Sequence, residues 1–121
     1  MTMKKKELIV TSALPYANGP LHFGHLLEHI QTDIWVRSQR ILGNHCIYLC
    51  ASDAHGTPIM MKAEEENLAP EKLVDKYMKA HKKSLEAFQV SHDCYYQTHS
   101  EENKKYSCLL YTSDAADDLI G

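Results

Sequence analysis

Between residues 7 and 25 the chain reads ELIVTSALPYANGPLHFGH, and this stretch decides the fold. Glu7 to Ala13 is short and largely apolar, which is typical of a strand in a parallel sheet. Leu14 to Pro20 contains two prolines and an Asn-Gly pair, which together predict a loop. The tetrapeptide His22-Phe-Gly-His25 follows directly, where a helix is predicted to begin.

The residues after this loop predict a helix from about His22 to Leu42, because apolar side chains recur at helical spacing. Gly43-Asn44 would stop this helix, and Cys46 to Ala51 predicts a second buried strand. A strand, a helix and a strand of this length form a βαβ unit, so the two strands should be parallel with a right-handed crossover. The apolar residues that recur at this spacing are Leu26, Ile30, Ile34 and Ile41.

The rest of the chain continues the alternation of helices and strands. Thr57-Pro58 is suited to an N-cap and first helical position for a helix to about Asn67, and Pro70 opens another helix. A third strand is expected within Val90 to Gln97, and Ser100-Glu-Glu is typical of a helix start. The predicted fold class is α/β, the first half of a doubly wound, Rossmann-like parallel sheet, incomplete as it stands. The helix from Pro70 should turn one face inward, formed by Leu73, Tyr77, Ala80, Ser84, Leu85 and Phe88.

The composition is that of an ordinary globular protein, with 44% hydrophobic and 24% charged residues in a chain of 121. A net charge of -3 lacks the basic excess of a nucleic-acid-binding module, so a tRNA partner would be contacted mainly elsewhere. No apolar run approaches the ~20 residues that span a bilayer, and the lysines at the start precede no signal-peptide stretch. We therefore expect a cytoplasmic protein without a membrane partner.

The cysteines do not suggest a disulfide scaffold. Cys46 and Cys50 share one face of the predicted second strand, because side chains alternate along a strand. Four residues at ~3.3 Å each separate them by about 13 Å, which is too far for a disulfide or for one shared zinc ion. We expect buried reduced thiols, and the sequence predicts no metal site in this chain.

The segment from Cys108 to Asp118 stands apart from the rest. It resembles the read-through translation of a transposase adapter used in preparing sequencing libraries, and such segments are set aside before a fold is predicted. On this interpretation residues 1–107 form the incomplete domain, residues 108–121 are a non-native tail, and the native sequence breaks off near Ser107. The alternative is a genuine helix followed by an acidic tail.

His22, Gly24 and His25 form the main chemical constellation. A helix N-terminus offers free backbone N–H groups and a partial positive charge, both of which favour a phosphate. Gly24 would let a flat base or a phosphate approach the backbone closely. Two imidazoles three residues apart can point into one crevice and donate hydrogen bonds to phosphate oxygens. Doubly wound folds bind nucleotides at the carboxyl ends of their strands, so the sequence predicts a nucleotide site here.

The longer motifs around these residues resemble those of class I aminoacyl-tRNA synthetases, whose first signature is His-x-Gly-His after such a strand and loop. Isoleucyl enzymes have a similar Pro-Tyr-Ala-Asn-Gly leader, but Thr11 to His25 as a whole is similar to the methionyl type. So are Leu26 to Arg37, Ala51-Ser-Asp-Ala-His-Gly-Thr-Pro58 and Thr98-His-Ser-Glu-Glu-Asn103. The resemblance covers residues 8 to about 107, and it implies that residues 1–107 are the N-terminal half of the catalytic domain of a methionine–tRNA ligase.

The resemblance implies an ATP site and a methionine site. His22, Gly24 and His25 would bind ATP, with His22 and His25 stabilising the transition state as the methionine carboxylate attacks the α-phosphate. Asn18 and Gly19 would shape the turn on the phosphate side of the ATP site.

On the methionine side, Asp53 would pair with the ammonium group and His55 would support the site. Leu14 and Tyr16 would line the thioether pocket. Without the resemblance, Asp53 would be interpreted as a turn aspartate, and Leu14 and Tyr16 as loop packing. The family often has two acids before Ala54-His55, whereas this chain has Ser52 and then Asp53.

The implied partners are methionine, ATP with Mg²⁺, and tRNA, the last bound mainly by domains outside this chain. The second signature of the class, Lys-Met-Ser-Lys-Ser, is absent, and Lys79 to Ser84 is better interpreted as the solvated face of a helix. Zinc would belong to a connective insertion of the full-length enzyme, whose ligands are not in this sequence. The chain alone is therefore expected to be inactive.

Three other functions are compatible with parts of the sequence. His25-Leu-Leu-Glu28-His29 spells the inverted zincin pattern of a zinc peptidase, on a predicted helix. Small nucleotidylyltransferases also place a Gly-His pair at a helix start, but they lack the Pro-Tyr-Ala-Asn-Gly leader. A non-catalytic nucleotide-binding fragment is the third alternative, and a broken doubly wound sheet would then expose apolar faces.

Overall fold

The computed structural model describes the backbone of residues 4–120 and the side chains of residues 4–113. Strands and helices alternate within this part of the chain, as the sequence predicts for an α/β protein. The strands are β1 (Glu7–Thr11), β2 (His45–Ser52) and β3 (Cys94–Gln97). The helices are α1 (Phe23–Ile41), α2 (Thr57–Glu65), α3 (Pro70–Ala87) and α4 (Glu101–Ile120).

The strands form one parallel sheet in the order β1-β2-β3, which confirms the predicted βαβ unit. Leu8 pairs with Cys46, and Leu49 pairs with Cys94 on the other side of the central strand. Since all three strands run the same way, the loops that follow β1 and β2 leave the sheet at the same edge. Tyr16 and Asp53 extend the pairing beyond the strands as an isolated parallel bridge.

One face of the sheet is covered and the other is open. Cys46, Tyr48 and Cys50 point from β2 into a core that also contains Val36 of α1 and Leu85 of α3. Both cysteines are buried and reduced, as predicted. On the opposite face Ile9, Leu49 and Tyr96 are exposed. A doubly wound sheet has helices on both faces. The described residues supply the sheet and the helices of one face only.

Helix α1 buries a stripe that differs from its repeat of apolar residues. Its buried residues are His29, Asp33 and Val36, whereas Ile34 and Ile41 are 62% and 86% exposed. The helical spacing predicted the helix correctly, but these two isoleucines do not lie on its buried face. Each step of four residues advances about 40° past a full turn of 3.6 residues, so a stripe spaced by fours winds away from the core. Of the two buried polar side chains of α1, Asp33 accepts from Arg37 Nε at 2.6 Å, and His29 Nδ1 lies 3.0 Å from Ser12 Oγ.

Two helix ends differ from the prediction. Helix α2 already includes Thr57, and its N-cap is Gly56, with φ +126°, because this backbone conformation favours glycine over threonine. Helix α3 buries Leu73 and Leu85 as predicted, but Phe88 lies beyond the last helical residue and is exposed. The chain turns there, so the hydrophobic core receives Val90 instead.

Helix α4 continues without a break past Ser107, and its side chains from 101 to 113 are exposed. The predicted division at Ser107 stays a prediction, and the side chains of Asp114, Asp117 and Asp118 lie outside the described residues. Within residues 4–120 no helix combines the length and apolar character that crossing a membrane requires.

Candidate functional site

His22 and His25 lie together at the amino end of α1. Their rings stack with centroids 3.8 Å apart and planes inclined by 29°. The backbone N–H of Gly24 donates to His22 Nδ1 at 3.1 Å, and the backbone N–H of His22 donates to His25 Nδ1 at 3.3 Å. The two side chains therefore cap the helix reciprocally, in the manner of a capping box.

This capping fixes where each imidazole carries its proton. A neutral imidazole has one donor and one acceptor nitrogen, and in both rings Nδ1 is the acceptor. The proton then lies on Nε2, so each ring keeps one N–H donor that the cap does not use. Burial and the neighbouring His22 lower the pKa of His25, which favours this neutral form. The pair offers two donors on adjacent rings without carrying a full positive charge.

The capping also bears on what the sequence predicts for the helix start. The backbone N–H groups there were expected to be free for a phosphate, but that of Gly24 donates to His22 Nδ1. A Cβ at position 24 would lie 3.0 Å from His22 Cε1, so a side chain there would force the imidazole to shift. The predicted close approach of a base or a phosphate to Gly24 stays a prediction.

Tyr16 and Asp53 are joined where the two loops leave the sheet. Asp53 N–H donates to Pro15 O and Ala17 N–H donates to Asp53 O, each at 2.8 Å. The hydroxyl of Tyr16 donates to His55 O at 2.7 Å. The backbone is fixed by three hydrogen bonds, while the half-buried Asp53 carboxylate makes none within residues 4–113. A carboxylate held in this way is available to a cation.

His55 lies at the rim of this region and pairs with a residue that the sequence analysis did not assign. His55 Nε2 and His99 Nδ1 are 3.2 Å apart, and their rings meet edge to face. Both line a largely apolar cavity of about 200 Å³ with Gly56, Ile59 and Val74.

Among the described side chains, neither Leu14 nor Asn18 forms a hydrogen bond to this cluster. Leu14 is 42% exposed and Asn18 is half-buried. Gly19 has open space where a Cβ would stand, so this turn does not require a glycine for steric reasons. Its carbonyl, however, is held by a distant side chain.

That side chain is His81 of α3, which was predicted to lie on a solvated helix face and is instead 1% exposed. His81 Nε2 donates to Gly19 O at 2.7 Å, and His81 Nδ1 lies 2.8 Å from Ser52 Oγ. Ser52 Oγ is also 2.8 Å from Tyr95 Oη. Lys79, Lys82 and Lys83 are exposed, as predicted for a solvated helix face. The prediction was wrong for His81, because nothing in the neighbouring sequence indicates a hydrogen-bond partner so far along the chain.

This placement makes the stability of the fold depend on pH. Burial lowers the pKa of His81 below 6.5, against a smaller opposing effect of its bond to Gly19 O. Below pH ~6.5 the unfolded chain takes up a proton that folded His81 refuses, so the free energy of unfolding falls with falling pH. We expect His81→Gln to make this decline shallower between pH 7.5 and 5.5, measured by urea unfolding. Equal slopes for the two chains would contradict this assignment.

The alternative zinc site of an inverted zincin is not formed. His25 is stacked on His22, whereas His29 is buried, with Nδ1 3.0 Å from Ser12 Oγ. Glu28 Oε1 accepts the backbone N–H of Ala13 at 2.8 Å. Within the described side chains, the group of three that could hold a metal includes His29 but neither His25 nor Glu28. The peptidase interpretation therefore lacks its ligand set.

Comparison with known families and proteins gives one consistent match. The family described as tRNA synthetases class I (M) matches residues 8–120. A methionine–tRNA ligase from Cupriavidus pinatubonensis is 51% identical over 118 residues, which are 98% of this chain and 17% of that protein. A methionine–tRNA ligase from Wigglesworthia glossinidia brevipalpis is 52% identical over 107 residues, 88% of this chain and 20% of that protein. The chain spans about a fifth of the length of these relatives.

Solved structures agree with this match. A methionyl-tRNA synthetase from Mycobacterium tuberculosis bound by methionyl-adenylate superposes with a TM-score of 0.76 at 26% identity, over 80% of this chain and 19% of that one. A second structure of that synthetase in complex with methionyl-adenylate gives a TM-score of 0.77 at 25% identity, over 82% of this chain and 19% of that one.

Proposed function

The chain belongs to the class I tRNA synthetases of the methionyl type, and from this we propose that it forms the N-terminal half of the catalytic domain of a methionine–tRNA ligase. In this proposal the complete enzyme joins methionine to ATP, giving methionyl-adenylate and pyrophosphate, and then transfers the methionyl group to tRNA. The described residues contribute one wall of the site where the adenylate forms.

The stacked pair of His22 and His25 carries the proposal. Two Nε2–H donors on neighbouring rings suit two oxygens of one phosphate, and stacking sets their separation before the ligand arrives. Donors that are already oriented toward developing charge stabilise a transition state without reorganisation. A phosphate that gains negative charge during attack would therefore bind this pair more tightly than the ground state does.

The methionine side of the site is supported by Asp53 and Tyr16. The Asp53 carboxylate would receive the ammonium group, a charge-assisted pair that orients the amino acid. Tyr16 is held by its hydroxyl at His55 O, so its ring has a fixed position against which a thioether could pack. With the ammonium held at the end of β2, the carboxylate of methionine could face the α-phosphate.

The reaction asks little covalent chemistry of the side chains. The methionine carboxylate oxygen would form a bond to the α-phosphorus as the bond to pyrophosphate breaks, and Mg²⁺ would accompany ATP. His22, His25 and Asp53 would act by positioning and charge stabilisation, which can supply much of the rate enhancement. tRNA would be bound mainly by parts of the enzyme outside this chain, and the enzyme would act in the cytoplasm.

The test is methionine-dependent exchange of pyrophosphate into ATP. The full-length protein should catalyse this exchange with methionine and not with isoleucine or leucine, whereas the 121-residue chain should be inactive. Equal exchange with isoleucine would contradict the assigned substrate. Exchange by the short chain alone would contradict the proposal that it supplies only half of the site.

A further inference from the structure

The geometry points to a second ligand site in this chain: His29, Cys50 and His92 form a buried binding site for one zinc ion. They come from α1, from the middle of β2, and from the segment before β3. This inference does not rest on the proposed function, because none of the three residues belongs to the ATP or methionine site described above.

The three candidate ligand atoms are already close together. One nitrogen of each imidazole and the Cys50 sulfur all lie within 4.8 Å of one another. A tetrahedral zinc ion with bonds of about 2.0 Å to nitrogen and 2.3 Å to sulfur needs separations of about 3.3–3.7 Å between its ligands. The ligand atoms would therefore approach one another by about 1 Å as the ion binds.

Two buried nitrogens in this group have no partner. Among the described side chains, His29 Nε2 and His92 Nε2 are the buried nitrogen or oxygen atoms that make no hydrogen bond. His29 is 1% exposed, so its Nε2 cannot turn to bulk water. A buried polar atom without a partner destabilises the fold, so two of them beside a thiol indicate a site for a ligand that both can bind.

The residues around the site orient its ligands as a metal site requires. A ligating histidine usually donates its other N–H to a nearby oxygen, and His29 Nδ1 is 3.0 Å from Ser12 Oγ. Ser12 Oγ in turn donates to Cys50 Sγ at 3.5 Å. With the His29 proton on Nδ1, Nε2 presents its lone pair to the site. The Tyr48 ring packs 4.3 Å from the His92 ring and excludes water from one side.

The donor set also favours a soft divalent ion. Zinc binds neutral imidazoles and a thiolate, so the Cys50 thiol would release one proton to the solvent as the Zn–S bond forms. One thiolate and two imidazoles suit zinc and leave a fourth position for water.

An ion could enter from the side of His92. This residue lines an open cavity of about 330 Å³, together with Lys82, Val90 and Asp93. His92 therefore lies between this open cavity and the buried residues His29 and Cys50.

The test is a cobalt titration of the reduced, metal-free 121-residue chain with Cys94→Ser and Cys108→Ser, which removes the exposed thiols. We expect one Co²⁺ per chain, with a sulfur-to-cobalt charge-transfer band that zinc abolishes by displacement. Cys50→Ala should remove the band and weaken binding by about 100-fold or more. Cys46→Ala, which changes a buried thiol on the same face of the same strand, should leave both unchanged.

Two further outcomes decide the case if Cys50→Ala does not fold. Zinc should raise the unfolding temperature of the parent chain, and His92→Gln, which keeps the thiol, should abolish that rise. The proposal is wrong if the parent chain binds no cobalt, if the band survives in Cys50→Ala or disappears in Cys46→Ala, or if His92→Gln keeps the zinc-dependent rise. In the first of these cases, a bridging water would account for the two unpaired nitrogens.

Discussion

His22→Asp should leave the fold as stable as before and lower the rate of methionyl-adenylate formation by the full-length enzyme by about 100- to 1,000-fold. Aspartate is a favoured N-cap, so its carboxylate can accept the Gly24 N–H that His22 Nδ1 now accepts. It has no N–H donor for a phosphate, however, and its charge repels one. The pyrophosphate exchange rate measures the loss, and thermal unfolding of the same variant measures the cap.

The control for His22→Asp is His45→Asp, which makes the same change at the amino end of β2, where the strand begins. It should leave the exchange rate within a few-fold of the parent enzyme. If His22→Asp is folded and its rate falls by less than about tenfold, the histidine pair acts only as a helix cap, and its proposed role in the reaction is wrong.

Gly56→Ala should lower the free energy of unfolding by about 2–6 kcal/mol. The φ angle of +126° is rarely adopted by a residue with a Cβ, and the added Cβ would overlap the hydroxyl oxygen of Tyr16. Strain and overlap therefore add at one position, where α2 begins. Urea unfolding should show a lower midpoint, since the change is large beside the total stability of ~5–15 kcal/mol of a typical domain.

A second substitution separates the two causes. Tyr16→Phe in the Gly56→Ala chain removes the overlapping oxygen and should recover part of the lost stability, whereas the strained φ remains. Gly19→Ala is the matched control, because a Cβ there meets nothing within 4 Å. Equal unfolding midpoints for Gly19→Ala and Gly56→Ala would show that the conformation of Gly56 is not the source of the effect.

The sequence was sufficient for the type and order of the first elements. An apolar run, a loop rich in proline and glycine, and a helical repeat predict β1, α1 and β2 and their parallel order, because each signal lies within a few residues of its element. The stacked pair at the start of α1 was predictable for the same reason, since His22 and His25 are three residues apart.

Long-range contacts between polar side chains were not predictable. His81 reaches a carbonyl 62 residues away and His55 pairs with a histidine 44 residues away, and no periodicity marks such partners. The charged neighbours of His81 even predicted the opposite, a solvated position. The group formed by His29, Cys50 and His92 was not predictable for the same reason, because its members come from one helix, one strand and a later loop and share no spacing pattern.

The bond from His81 to Gly19 has a consequence for the order in which the protein folds. The turn after β1 is closed by a helix far along the chain, and closing so long a loop costs conformational entropy before any contact compensates for it. The turn can therefore reach its final shape only when α3 has docked. Helix α1 and the pairing of β1 with β2 can form sooner, because both involve residues closer in the sequence. The shape of this turn would then be among the last features that the nascent molecule acquires.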